Sequence, residues 1–229
     1  MNNFSEALDL LLSMDKELIQ IIGVTLRMSF FSTLISCLIG MPLGVLIEKK
    51  HFRGRHLVKR TISTFMGLPP VVAGLMVYML FTKYGPFGFM GLLFTVEVMV
   101  IAQVMLITPV VICLTSSVVS VTGEALSETA RGLSLSKSRT LLLFIVHNRR
   151  ALMSVVLTAF GRSIAEVGAV SLVGGNIQWK TRVMTTAILL ETNKGKFTFA
   201  LALGIILLFI SFAVNFSASL LTGRGENND

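Results

Sequence analysis

Charge is what this chain has least of. Only 14% of its 229 residues are Asp, Glu, Lys or Arg, against about 25% in soluble domains. With 53% hydrophobic residues and a mean hydropathy of +0.80, the sequence reads as an integral membrane protein with little soluble mass. Cysteine is equally sparse. Cys37 and Cys113 both lie in apolar runs, which excludes a disulfide framework or a thiolate metal site. The three histidines, His51, His56 and His147, lack a metal-ligand spacing. H-E-x-x-H and G-x-S-x-G are missing, and so is the phosphate loop G-x-x-x-x-G-K-[ST]. The segment "GGNIQWKT" from Gly174 to Thr181 has Trp179 where the second glycine belongs. No catalytic residue, metal or cofactor is expected, and the chain is not expected to hydrolyse nucleotide alone. The first 17 residues carry Glu6, Asp9, Asp15 and Glu17 against Lys16, so they lack the basic start of a secretory signal. Leu8, Leu11, Leu12 and Met14 suggest a short interfacial helix instead.

What is present is oil in long stretches. A bilayer core takes about 20 apolar residues as helix, and five segments qualify: 18–47, 61–82, 90–121, 151–175 and 197–222. All should be helical, because an open strand edge stays unsatisfied in lipid. The expected fold is thus an all-α bundle of about five transmembrane helices, one domain over residues 1–229. The net charge of +8 would suit nucleic acid, but the basic residues cluster between spans, so no nucleic-acid partner is expected. Glu48–Arg60 and Gly123–Arg150 both follow odd-numbered spans. With Arg224 they hold 12 Lys/Arg, against six on the other side. By the positive-inside rule this orients the N-terminus outside and the C-terminus in the cytoplasm of a cell membrane.

Several features interrupt the spans. Pro42 sits between Gly40 and Gly44, Pro69 and Pro70 open the second span, and Pro109 lies in the third. These are either packing kinks or irregular backbone lining a path. Arg162 and Glu166 are four residues apart, on one helix face, where they can pair. Charges at this depth face the bundle interior or a cavity. The pair, with Ser163 beside it, is either a structural ion pair or a polar element along an anion pathway.

The segment 123–150 is the longest interruption between the apolar spans. Glu124–Leu133 reads as a short helix of good formers, with Thr122 as its cap. "GLSLS" breaks it, and Ser136 caps a second helix through "RTLLLFIV". Such a knob is either a solvated loop lying on anionic headgroups or a docking element for a soluble partner. The segment resembles the coupling loop of ABC-transporter permease subunits, which reads E-A-A, a Gly six residues after the Glu, then I-x-L-P. Glu128-Thr129-Ala130 matches its start. Ser134 stands at the Gly position, two residues past Gly132, and Phe144, Val146 and His147 stand at the I, L and P positions. Residues 25–48 resemble the first core span of such permeases. "FGRSIAEVGAVSLVGGNI" from Phe160 to Ile177 resembles the fourth span of molybdate and tungstate importers, and "GLPPVVAGLMVYMLFTKYGPFG" from Gly67 to Gly88 is closest to the tungstate branch.

The resemblance covers nearly the whole chain. It implies a non-catalytic permease subunit of an ATP-driven oxyanion importer, working as a homodimer within membrane lipid. Two cytoplasmic ATP-binding subunits would dock on a coupling helix containing Glu128, Thr129, Ala130, Arg131 and Gly132, with Ser134 at its turn. An extracytoplasmic binding protein would deliver the anion. Lys180 and Arg182 of the outer loop would either attract an oxyanion or an acidic rim of that protein, or form an ordinary charged loop. A free-standing carrier would more often show inverted repeats, and none is seen.

Overall fold

The computed structural model describes residues 6, 7, 10, 13, 15–49 and 53–223. Leu8, Leu11, Leu12 and Met14, the expected interfacial helix, lie outside the described residues, as do His51 and Arg224. Helix α1 spans Lys16–Lys49. Asp15 starts it by accepting hydrogen bonds from the Glu17 and Leu18 amides at 2.8 and 3.2 Å, which satisfies donors that a helix start leaves open. Its 34 residues reach roughly 50 Å at 1.5 Å each, so α1 outruns the roughly 30 Å hydrocarbon core. It continues through Pro42, and α4, Val96–Gly132, continues through Pro109.

The tandem prolines act differently. Helix α2 is Arg55–Met66 and α3 is Pro70–Phe81, and they meet at 95°. Proline disfavours helix in the residue before it, and Pro69 before Pro70 is extended (φ −61°, ψ 127°). The expected span over 61–82 is thus two helices meeting at a bend, with the tandem prolines at the break. The third span does not begin at Met90: a 3₁₀ turn, Gly88–Met90, precedes α4. The fourth, expected over 151–175, is also broken. α5 (Lys137–His147) meets α6 (Arg149–Ile164) at 78°, residues 165–167 leave the helix, and α7 is only Gly168–Gly174. Helix α8, Met184–Asn193, falls in a stretch read as outer loop, and ten residues are too short to register as a span. α9 is Phe197–Gly223. Three helices (α1, α4 and α9) are long and apolar enough to cross a membrane, and five spans result if each bent pair counts as one.

Packing is organised around α1 and α4. They run in the same direction and meet along small residues: a Cβ on Gly40 would lie 2.8 Å from Val111, and one on Gly44 would lie 2.8 Å from Thr115. Small residues permit such approach where lipid offers no hydrophobic drive for association. Gly74 of α3 is as close to the Ala169 backbone of α7, at 2.7 Å. One core cluster joins α3, α4 and α7 around Val77, Met99 and Val173, and another joins α1, α8 and α9 around Ile21, Met184 and Leu203.

Candidate functional site

The basic end of α1 and α4 builds the first candidate region. No separate helix covers 124–133. That stretch is the last part of α4, so Thr122 caps nothing: α4 runs on through Gly123, and the good formers Glu124, Ala125, Leu126, Glu128, Ala130 and Arg131 carry it to its end. The Thr122 hydroxyl instead donates to Asn148 Oδ1 at 3.1 Å. α4 ends in two bonds that close a Schellman motif: Ser134 N–H to Arg131 O at 3.0 Å and Leu135 N–H to Ala130 O at 2.9 Å. Ser134 is the motif's left-handed residue, with φ +49°. The backbone thus needs a glycine-like conformation where the coupling loop calls for Gly, and this chain meets it with serine. Gly132 is ordinary helix with open space around it. Ser136 caps α5 by accepting from the Arg139 amide at 3.5 Å.

Phe144 anchors α5 by burying fully among Val45, Val119 and Leu126. Asn148 turns the chain into α6: its side-chain amide donates to Phe144 O at 2.9 Å while its oxygen accepts from Thr122. Sequence reading missed Asn148, although an amide flanked by two helix-forming runs marks such a corner. Glu128, Thr129, Arg131 and Gly132 are exposed on α4's end and Ala130 is buried. Glu128 and Arg131, with Glu124 and the α1–α2 residues Glu48, Lys49 and Arg55, line a groove of about 520 Å³. Glu48, also missed, pairs with Arg55 and, at 2.5 Å, with Lys59, and accepts from the Ser116 hydroxyl at 2.6 Å. It fastens α2 to α1 and α4.

The second region lies inside the bundle. Ser32 of α1, Gln103 of α4 and Ser163 of α6 are fully buried and bonded. Both hydroxyls lie 2.6 Å from Gln103 Oε1, and Gln103 Nε2 donates to Ser163 O at 2.9 Å. One carbonyl has two lone pairs, so it accepts both hydroxyl protons, and the 2.9 Å Ser32–Ser163 contact needs no proton of its own. Of the expected intramembrane site residues, only Ser163 belongs to this knot. Arg162 is exposed, and Glu166 lies past the end of α6, where Oε1 accepts from the Ala169 amide at 3.2 Å. Among the described residues no ion pair joins Arg162 to Glu166. Breaking the helix at 165–167 removes the i,i+4 geometry that the pairing assumed. The two still border one small crevice with Gln103. Gln103 was legible in principle, as the one amide in the uncharged run Val98–Gly123.

At the opposite end, Arg182 is not free to meet an anion. It is 7% exposed and pairs with Glu17 at 2.7 Å, while Gln178 donates to the same carboxylate oxygen at 2.9 Å. Lys180 stays exposed.

The described residues thus build two long parallel helices with broken companions and a capped knob at the basic end. The chain belongs to the family of binding-protein-dependent transport system inner membrane components, whose profile matches residues 40–224. It is 37% identical over 212 residues to the tungstate uptake system permease protein TupB of Peptoclostridium acidaminophilum, covering 93% of each chain. With TupB of Campylobacter jejuni it shares 39% identity over 215 residues, covering 94% of this chain and 90% of that one. A sulfate transport system permease of Salmonella typhimurium is more distant, at 26% over 208 residues, covering 88% of this chain and 75% of that one. The fold is similar to that of a chain of the MetNI methionine ABC transporter, with TM-score 0.66, 16% identity, and coverage of 89% and 95%.

Proposed function

We propose that this chain is the permease subunit of an ATP-driven importer for tungstate. The observation that carries the reading is near-full-length similarity to two tungstate permeases, together with a basic end finished as a rigid knob. In this reading that end faces the cytoplasm, with the N-terminus outside and the C-terminus inside, as the 12-to-six distribution of Lys/Arg favours. A cytoplasmic ATP-binding subunit hydrolyses the nucleotide and grips the end of α4 and α5. An extracytoplasmic oxyanion-binding protein releases the anion at the end formed by Glu17, Gln178 and Arg182. A second copy completes the path, and α9, which exposes Phe209, Phe212 and Phe216, meets lipid or that copy.

Glu128, Thr129, Ala130, Arg131, Gly132 and Ser134 are the docking residues of this proposal. Phe144 and Asn148 hold them in place, so ATP-driven displacement of the knob is passed to α1, α4 and α6 as a rigid-body movement. Arg162, Ser163 and Glu166 are its intramembrane polar elements. The test is Glu128→Lys in the assembled importer. Tungstate uptake is expected to fall at least tenfold, with membrane insertion intact and ATP hydrolysis continuing unlinked to uptake. Undiminished uptake would exclude the docking role. Molybdate or sulfate is the second reading, favoured by the more distant relatives alone, and competition for uptake among the three anions separates them.

A further inference from the structure

Between α1, α2 and α4 lies a second opening, a sideways crevice of about 260 Å³. Its lining changes character along α4. On α4 the lining passes from Ile112 and Cys113 to Ser116, Ser117 and Ser120 toward the basic end, and Lys59, Ile62 and Ser63 of α2 supply the other wall. The depth of this transition is fixed by α1. Its uncharged run Met28–Ile47 is 20 residues long, roughly 30 Å and the thickness of a hydrocarbon core. Glu48, the next residue, and its partner Ser116 therefore stand at the edge of the hydrocarbon, where lipid phosphates lie.

The charge at this level is positive. In the crevice wall Lys59 pairs with Glu48, and Arg55, the carboxylate's second partner, stands beside the crevice in the neighbouring groove, so two cations share one carboxylate at this level. Arg53 and Arg60, on either side of Arg55 and Lys59 in the sequence, are exposed and without an ion pair among the described residues. Lys59 uses one of its three N–H donors on Glu48 and keeps 36% of its side chain accessible. The outer edge of α2 adds apolar surface, with Leu57 70% and Phe65 48% exposed. Basic pockets between transmembrane helices at a headgroup level hold anionic lipids. A free oxyanion matches the cations but has no use for Ile62 and Ile112.

We propose that this crevice is a binding site for one anionic phospholipid. The phosphate sits against Lys59 and the serine hydroxyls, and an acyl chain runs past Ile62 and Ile112. The lipid would hold α2 against α1 and α4 from the outside, as Glu48 does from within. The inference needs only that the chain spans a membrane, and it stands whichever anion the importer carries.

The test uses the full-length chain in nanodiscs of phosphatidylcholine containing one-fifth phosphatidylglycerol, with retained lipids counted by native mass spectrometry after mild delipidation. One phosphatidylglycerol per chain is expected to remain when phosphatidylcholine has been stripped. Lys59→Gln should weaken retention about fivefold, the worth of one cation at a headgroup surface. Ile62→Trp should remove it by filling the crevice without changing charge, whereas Ile62→Ala should keep it, which separates blocking from misfolding. Equal retention of both lipids, or retention indifferent to Lys59→Gln and Ile62→Trp, would overturn the site. Displacement of the lipid by millimolar inorganic phosphate or tungstate would also overturn it, by showing that the crevice takes a free oxyanion.

Discussion

The α1–α4 seam and the α4–α5 corner are made by the same helix, yet different forces hold them. The seam is side-chain contact without side chains: Gly40 and Gly44 let two backbones approach, and one buried amide ties three helices. The corner is held by backbone hydrogen bonds, a left-handed serine, a cap and one asparagine. A seam of this kind tolerates no added volume but has little conformational strain to lose. A corner of this kind accepts changes of side chain but depends on dihedral angles. A transporter that must move as rigid pieces needs the first inside the bilayer and, on the docking proposal above, the second where a partner would push.

The sharpest way to break the contrast is Gly44→Ala. Its Cβ would meet the Ile112 carbonyl at 2.9 Å as well as Thr115, and backbone cannot yield as a side-chain tip does. A loss of about 3 kcal/mol is expected in reversible SDS unfolding, while Gly132→Ala at the corner, with open space around it, should be neutral or gain up to about 1 kcal/mol. Gln103→Leu comes next. It leaves Ser163 O with only the long bond from the Glu166 amide, at 3.4 Å, and leaves the two buried hydroxyls with each other and Ser29 O, for an expected cost of about 1.5 kcal/mol, the upper range for hydrogen bonds between membrane helices. Ser32→Ala in that background should cost little more, because the knot is already undone. The smallest effect has the opposite sign. Ser134→Gly relieves a left-handed conformation worth about 1 kcal/mol and should slow amide hydrogen exchange at Leu135 while leaving the seam unchanged. If Ser134→Gly proves neutral, the corner is not strained and the contrast is weaker than the dihedral angles imply.

The sequence made the long helices legible because hydrophobic length is a one-dimensional property. Residues 18–47 and 90–121 read as spans on composition alone, and the four-residue spacing of Gly40 and Gly44 around Pro42 was visible as an interruption. The breaks were only half legible. Pro69 and Pro70 announced a disturbance, but a 95° bend depends on what α3 packs against. Nothing local in "SIAEVG" signalled that α6 would stop at Ile164, since Ala and Glu favour helix. Gly168 seated on Val71, where a Cβ would come within 2.9 Å, belongs to tertiary structure. That stop is why Arg162 and Glu166 part company. Arg182 misled for the same reason: a lysine- and arginine-bearing loop looks free until Glu17, 165 residues away, is folded against it.

The seam also sets a rule for length. Ser32 meets Gln103 at a separation of 71 residues, and Gly40 with Val111 and Gly44 with Thr115 repeat that separation. Residues gained or lost between α1 and α4 can be absorbed by the turns around Gly54 and Gly91, and descendants of this chain are free to vary there. One residue deleted between Ser32 and Gly40 rotates everything beyond it by about 100°, carrying both glycines off the seam and bringing Val45 to the place opposite Thr115. Insertions and deletions that survive should therefore be crowded into residues 50–95 and be missing from the twelve-residue stretch that keeps two helices in step.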